Sequence, residues 1–348
     1  MPSAISVSRH VVSSRASMAA MGNLAEGMIV LAALLASVVL LKALLHSGLH
    51  GRLDSPNERS LHTHPVPRSG GFGIIAAGAI GFVAAGGPWL IAACAAALAV
   101  LSAFDDGLGL PVSVRLAAQV AAAATFVVAS SDAALFGWGG GAILLVVALA
   151  WMTNLYNFMD GADGLAGGMT VFGFGAYSVA AFQAGDGALG LVSACLAAGA
   201  LGFLVFNFSP ARIFMGDVGS IPLGFLAGAV GLEGLQRNLW PGWFPVLVFS
   251  PFICDATVTL LRRAMRGKRV WQAHREHYYQ RIIMSGFGHR KTALAAYALM
   301  ALCAIAACML RTSVPSAVVP VLTVFAIGYA ALAVAVDLRC RTERRPCP

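Results

Sequence analysis

Long apolar runs separated by short polar breaks dominate this chain from Asn23 onward. Runs near or above 18 residues recur at roughly 24–46, 70–86, 88–104, 115–131, 140–156, 165–184, 187–206, 219–235, 243–262, 292–310 and 314–337. Crossing a hydrocarbon layer about 30 Å thick takes about 20 apolar residues of helix, so each run predicts a transmembrane helix. The pattern predicts an all-α polytopic membrane protein of about eleven spans. Glycine is frequent, at 39 residues, and small residues let helices approach closely in lipid.

Composition agrees: 59% of residues are apolar and 11% charged, with mean hydropathy +0.80. A soluble domain carries about 25% charged residues, so that class is excluded. Residues 1–23 read as a disordered or mis-started leader, Ser-rich, with Arg9 and Arg15. Residues 24–338 read as one transmembrane domain and 339–348 as a basic cytoplasmic tail. The seven cysteines show neither a disulfide framework nor zinc-ligand spacing.

Charge orients the spans. If the loop at 47–69 is cytoplasmic, alternation puts 105–115, 157–164, 207–218, 262–291 and the C-terminus on the same side. Those segments hold 18 of the 23 Lys and Arg residues, as the positive-inside rule expects. The C-terminus is then cytoplasmic and the N-terminus on the opposite side, which is the periplasm if the membrane is a bacterial inner one. The net charge of +8 reflects that topology and an anionic bilayer surface; nucleic acid is not an expected partner.

The acids then fall into place. Asp105 and Asp106 follow a span in AFDDGLGL, Asp160 and Asp163 follow another in NLYNFMDGADGL, and Asp217 precedes one in ARIFMGDVGS. All five come to one cytoplasmic mouth. A single acid at a helix end is an ordinary cap, and for Asp163 that reading has equal weight. Adjacent carboxylates repel unless a cation intervenes, and carboxylates from three loops suit a hard divalent ion. Mg²⁺ is preferred, with Mn²⁺ as an alternative. Asn154 and Asn157 share a helix face, and Gly161 and Gly164 should end that helix, leaving the acids on irregular backbone.

The loop after the ninth span carries nine Lys or Arg residues against one acid, Glu276. Positive-inside charge accounts for Arg262, Arg263, Arg266, Lys268 and Arg269. His274, Arg275 and His277 instead form a group able to bind phosphate oxygens. In the first loop Arg68 precedes a Gly-Gly pair, and His62 and His64 read as loop residues.

Taken together, DSPNERSLHTHPVPRSGG, FDDGLGL, NLYNFMDGADGLAGG, FNFSPARIFMGDVGS and HREHYYQR resemble the polyprenyl-phosphate N-acetylhexosamine-1-phosphate transferases, glycosyltransferase family 4. Within that family the chain looks more like the O-antigen and common-antigen initiating branch than the lipid I branch. Gly107-Leu108-Gly109-Leu110 lacks the Lys usual in the latter. The resemblance implies transfer of N-acetylhexosamine-1-phosphate, as from UDP-GlcNAc, to undecaprenyl phosphate, releasing UMP. It implies Asp217 as metal ligand and Asp105, Asp106, Asp160 and Asp163 as catalytic acids. Asn154, Asn157, Arg68, His274, Arg275 and His277 would bind substrate. The sugar and the oligomeric state, a homodimer included, are left open. The alternatives are a phospho-N-acetylmuramoyl-pentapeptide transferase and a cation-coupled transporter. The latter would carry its acids nearer the bilayer midplane.

Overall fold

The computed structural model describes residues 3–47, 53–54, 65–130, 140–270, 272 and 274–342. In chain order the helices are α1 (Ser3–Ser47), α2 (Gly71–Ala85), α3 (Trp89–Leu108), α4 (Val112–Ala129), α5 (Ala142–Met159), α6 (Leu165–Gln183) and α7 (Gly187–Asn207). They continue with α8 (Asp217–Gln236), α9 (Trp243–Val248), α10 (Ser250–Met265), α11 (Tyr278–Ile282), α12 (Gly288–Arg311) and α13 (Val318–Thr342). The strands β1 (Leu53–Asp54) and β2 (Val66–Pro67) form one antiparallel ribbon. Among the described residues, 8 helical segments are long and apolar enough to cross a membrane, and α2 and α3 are shorter apolar helices. The protein is an all-α polytopic membrane protein.

Turn chemistry explains the breaks. Gly86 (φ 69°) caps α2 in the left-handed region and Pro88 precedes α3. Gly109 (φ 65°) does the same for α3 before Pro111 opens α4. The predicted span 243–262 is two helices, because the chain bends at Phe249 between Pro245 and Pro251.

Helix α7 is the hub, lying against α1, α2 and α6, while α8 lies against α3 and α5. Helix α2 touches both and joins the two halves. Close approach here depends on small residues: a Cβ on Gly199 of α7 would stand 2.5 Å from Ala77 Cβ of α2. Helices α6, α7 and α8 are largely buried, whereas α13 lies at the periphery, its apolar surface exposed. At one end of the bundle, Arg237 pairs with Asp186 (2.8 Å) and Glu233 (2.6 Å), and Arg311 reaches Leu239 O (3.1 Å) and Gln183 (2.8 Å). The site described next lies at the other end.

Candidate active site

Two loops build its floor. Phe214 N–H donates to Pro67 O (2.7 Å), Gly70 N–H to Phe214 O (2.8 Å) and Gly71 N–H to Met215 O (2.8 Å). The first loop thus runs beside the segment that opens α8. Contact is so tight that a side chain on Gly71 would strike the Gly219 backbone, and one on Gly219 the Gly71 backbone. Gly216 (φ 70°) makes the turn into α8, its α-carbon against the Arg68 carbonyl. Asp217 is therefore fixed as the first residue of α8. Arg68 lies 3.6 Å from Asp54 of β1.

Asp217 is held on both oxygens. Asn157 Nδ2, near the end of α5, donates to Oδ1 (2.9 Å) and reaches Ser220 Oγ (2.9 Å). Arg115 Nη1, from the first turn of α4, donates to Oδ2 (3.4 Å) and also to Asp105 Oδ2 (3.2 Å). Asp105 is buried in the last turns of α3, and its Oδ1 accepts Leu110 N–H (2.5 Å). Helix α3 thus runs past the Asp pair instead of ending before it. The side chain of Asp106 lies outside the described residues, as do His62 and His64. Asn154 turns away from Asp217, donating to Gln119 Oε1 of α4 (2.6 Å) and to Ala150 O (2.8 Å). A small cavity beneath this mouth is lined by Ser102, Asp105, Arg115 and Gln119.

The α5–α6 turn supplies the next two acids. Burial, then the charge of Asp217, pushes the Asp160 carboxyl well above the usual carboxylate range, with Arg68 partly opposing. Asp163 behaves in the opposite way. Burial would raise it, yet hydrogen bonding and charge from His289 and the Ala211 amide hold it below the ordinary range. Its Oδ2 accepts Ala211 N–H (3.2 Å), while its Oδ1 lies 3.3 Å from His289 Nδ1. Asn207 accepts Gly164 N–H (2.9 Å), and Tyr297 donates to Gly164 O (2.7 Å). Asp163 clasps the turn; Asp160 faces the other charges.

The basic loop approaches from the side. His277 is buried, its Nδ1 3.2 Å from Asp255 Oδ1 of α10, and its ring stacks on His274 (4.9 Å between centroids) and on Phe158 (6.2 Å). Burial, and then the neighbouring His277 and Arg263, push His274 down to about 4, so it is neutral near pH 7. Its Nδ1 accepts Glu276 N–H (3.2 Å), which leaves its proton on Nε2. Arg262 and Arg263 are both ion-paired. Arg263 grips Glu276, joined by Lys268 (3.0 Å), and Arg262 reaches Asp337 of α13 (2.8 Å).

Among the described residues, no three His, Cys, Asp or Glu side chains form a ready-made metal set. The donor chemistry fits a divalent cation nonetheless. Asp160 and Asp217 repel each other in a half-buried setting, and a cation between acids relieves that repulsion.

Residues 88–234 match glycosyl transferase family 4. A probable undecaprenyl-phosphate N-acetylglucosaminyl 1-phosphate transferase of Bacillus subtilis is 30% identical over 281 residues, covering 76% of this chain and 78% of the relative. The chain belongs to glycosyl transferase family 4. A second relative, the undecaprenyl-phosphate alpha-N-acetylglucosaminyl 1-phosphate transferase of Yersinia pestis, is 28% identical, covering 69% of this chain and 72% of its own. A phospho-N-acetylmuramoyl-pentapeptide-transferase of Moorella thermoacetica is 34% identical over only 49% of this chain and 52% of its own.

Several residues that build this family 4 site escaped the sequence reading. Gln119, Asn207 and His289 reach partners 35 to 126 positions away, and Arg115 joins Asp105, ten positions before it, to Asp217, 102 positions after it, which no local motif announces. Asp255 and Asp337 could have been found: each is an ionisable residue inside an apolar run.

Proposed function

We propose that this chain transfers N-acetylhexosamine-1-phosphate from a UDP-sugar to a polyprenyl phosphate, undecaprenyl phosphate in a bacterial inner membrane, releasing UMP. The observation that carries the reading is the meeting of Asp105, Asp160 and Asp217 with Arg115, Arg68 and Asn157 at one mouth of a family 4 bundle. A lipid phosphate oxygen attacks the phosphorus that bears the sugar. The new P–O–P bond forms as the bond to UMP breaks, and UMP takes the electron pair. A phosphate monoester has a second pKa near 6, so the nucleophile is already largely dianionic and direct displacement needs no strong base.

The residues divide the work. Arg115 and Arg68 supply positive charge where two anions must approach. Asn157 orients Asp217, the metal ligand in this reading, while Asp105 and Asp106 face the lipid phosphate. Asn154 and Asp163 hold the helix end and the turn that present Asn157 and Asp160. Neutral His274 offers Nε2–H to the donor diphosphate beside Arg275 and His277. A divalent cation, Mg²⁺ or Mn²⁺, would offset the charge of both phosphates when bound at Asp217 and Asp160.

The same reading takes eleven spans, an outward N-terminus and a site facing the cytoplasm, where UDP-sugars are made. It favours the O-antigen and common-antigen type of reaction. The half-length match to the pentapeptide transferase and the missing Lys after the Asp pair weigh against muramoyl-pentapeptide. A panel of UDP-sugars with purified protein, undecaprenyl phosphate and Mg²⁺ tests it. UMP release from one N-acetylhexosamine donor is expected. Solute accumulation in vesicles without UMP would establish transport instead.

A further inference from the structure

Asp255 of α10 and Asp337 of α13 are carboxylates of largely apolar helices that both pair with residues 277–281, and Asp337 pairs with Arg262 of α10 as well. Asp255 of α10 accepts Tyr278 N–H on Oδ1 (2.9 Å) and Tyr279 N–H on Oδ2 (2.9 Å), besides His277 Nδ1 (3.2 Å). Within α10 it also accepts Thr259 Oγ1 (3.3 Å). Asp337 of α13 takes Arg281 on Oδ1 (2.6 Å) and Arg262 on Oδ2 (2.8 Å). Both guanidiniums also approach the Tyr278 ring, 5.2 Å from the Arg281 carbon and 5.7 Å from that of Arg262, with Arg262 on the Tyr278 hydroxyl. Asp255 therefore grips the backbone that opens α11, and Asp337 ties Arg281, near the end of α11, to Arg262 of α10.

Retaining an ionised group inside an apolar helix is costly, and such groups normally carry a task. Here the task is legible from what the gripped segment touches. Tyr279 donates its hydroxyl to Phe158 O (3.1 Å), next to Asn157, and packs against Gly161, where any side chain would collide with that hydroxyl. His277 stacks on Phe158 from the same direction. The orientation of α11 is thus passed to the end of α5, which presents Asn157 and Asp160 to the mouth. Without Asp255 and Asp337, residues 277–281 would keep, among their described contacts, the Gln280 capping contact with the His277 amide, the Arg281 N–H to His277 O bond (3.0 Å), Arg262 on the Tyr278 hydroxyl, the ring contacts and the Tyr279 hydroxyl.

We propose that Asp255 and Asp337 are positioning residues, one from each of two neighbouring helices, that mount the His277–Arg281 segment against the substrate mouth. Neither touches substrate; Asp255 acts through His277, Tyr278 and Tyr279, and Asp337 through Arg281 and Arg262. The functional half of this proposal rests on reading the basic loop as the clamp for the donor diphosphate. The C-terminal helix, though exposed to lipid along its apolar length, is on this view part of the donor-binding machinery.

The test uses the full chain in nanodiscs, with Asp255→Asn, Asp337→Asn and Asp337→Glu. Both Asn variants should raise the KM for the UDP-sugar about tenfold while kcat stays within about threefold, as expected from losing one charge-assisted hydrogen bond in a binding element. Asp337→Glu should restore most of the affinity. Trypsin should cut faster at exposed Arg266, Lys268 and Arg269 in both Asn variants. An unchanged KM in Asp337→Asn, or a fall in kcat alone, overturns the proposal. If Asp255→Asn fails to accumulate, Asp337→Asn and Asp337→Glu decide the matter. Wild-type protein that releases no UMP from any UDP-sugar overturns the functional reading, and the trypsin comparison then judges the mount alone. Faster cleavage in Asp337→Asn supports it; equal cleavage overturns it.

Discussion

Asp160 and Asp163 are three residues apart, yet their surroundings drive them in opposite directions. Asp163 has found a histidine and an amide; Asp160 has found burial and another acid. The difference has a sign that can be measured. A carboxyl raised in the folded state holds its proton longer than in the unfolded chain, so it lowers stability as pH rises above about 4 toward its folded value. Metal-free protein treated with chelator should therefore lose thermal stability in detergent over that rise. Asp160→Asn should flatten the curve, and Mg²⁺ should stabilise wild type more than the variant. Parallel melting curves for the two proteins would remove Asp160 from the charged cluster. Asp217→Asn should abolish UMP release while leaving the chain folded in the membrane, because Asn157 keeps an amide oxygen to hold and Arg115 keeps Asp105. Retained turnover at saturating Mg²⁺ would show that Asp217 is not the ligand.

At the scale of elements, the joint between α2 and α8 is the most demanding part of the site. Gly71 and Gly219 meet backbone to backbone, and Asp217 lies two residues from that contact. Gly219→Ala forces the helices apart at a cost of about 1–3 kcal/mol, the usual range for overpacking a tight interior. UMP release should fall at least about tenfold with the chain still inserted, as read by a thermal shift alongside the assay. Normal activity would mean that the joint does not set the position of Asp217. The helices themselves were legible in the hydrophobic pattern. Every apolar run coincides with a helix, and the run at 243–262 differs only in its bend, where Pro245 and Pro251 already stood in the sequence. The acids of the mouth were legible because each stands at the end of a run. Their partners were not: Arg115 counted as one more cytoplasmic cation, and His289 lay within the basic loop at 262–291. Asp255 and Asp337 were lost for another reason. A hydropathy window averages a single charge away, while the polar contacts that retain it depend on a segment distant in sequence.

For the molecule as a whole, polar groups sort to the two ends of the bundle. The Arg237–Asp186–Glu233 cluster closes one end, and the acids, basic loop and β ribbon occupy the other. Two-phosphate chemistry belongs at such an end, because a charged donor can arrive from water while its acceptor stays anchored in lipid. Helix α2, which opens at the floor of this mouth, has only 15 residues. At 1.5 Å per residue it is about 22 Å long, well short of a hydrocarbon layer about 30 Å thick. Surrounding acyl chains must compress or tilt to meet it, so the headgroup plane dips beside the mouth and carries an anchored phosphate down toward Asp105. Turnover in nanodiscs of graded acyl length should accordingly be fastest in the thinner bilayers and decline as the chains lengthen. A rate indifferent to thickness would mean that the protein's own flanking helices, α1 and α3, shield α2 from the lipid.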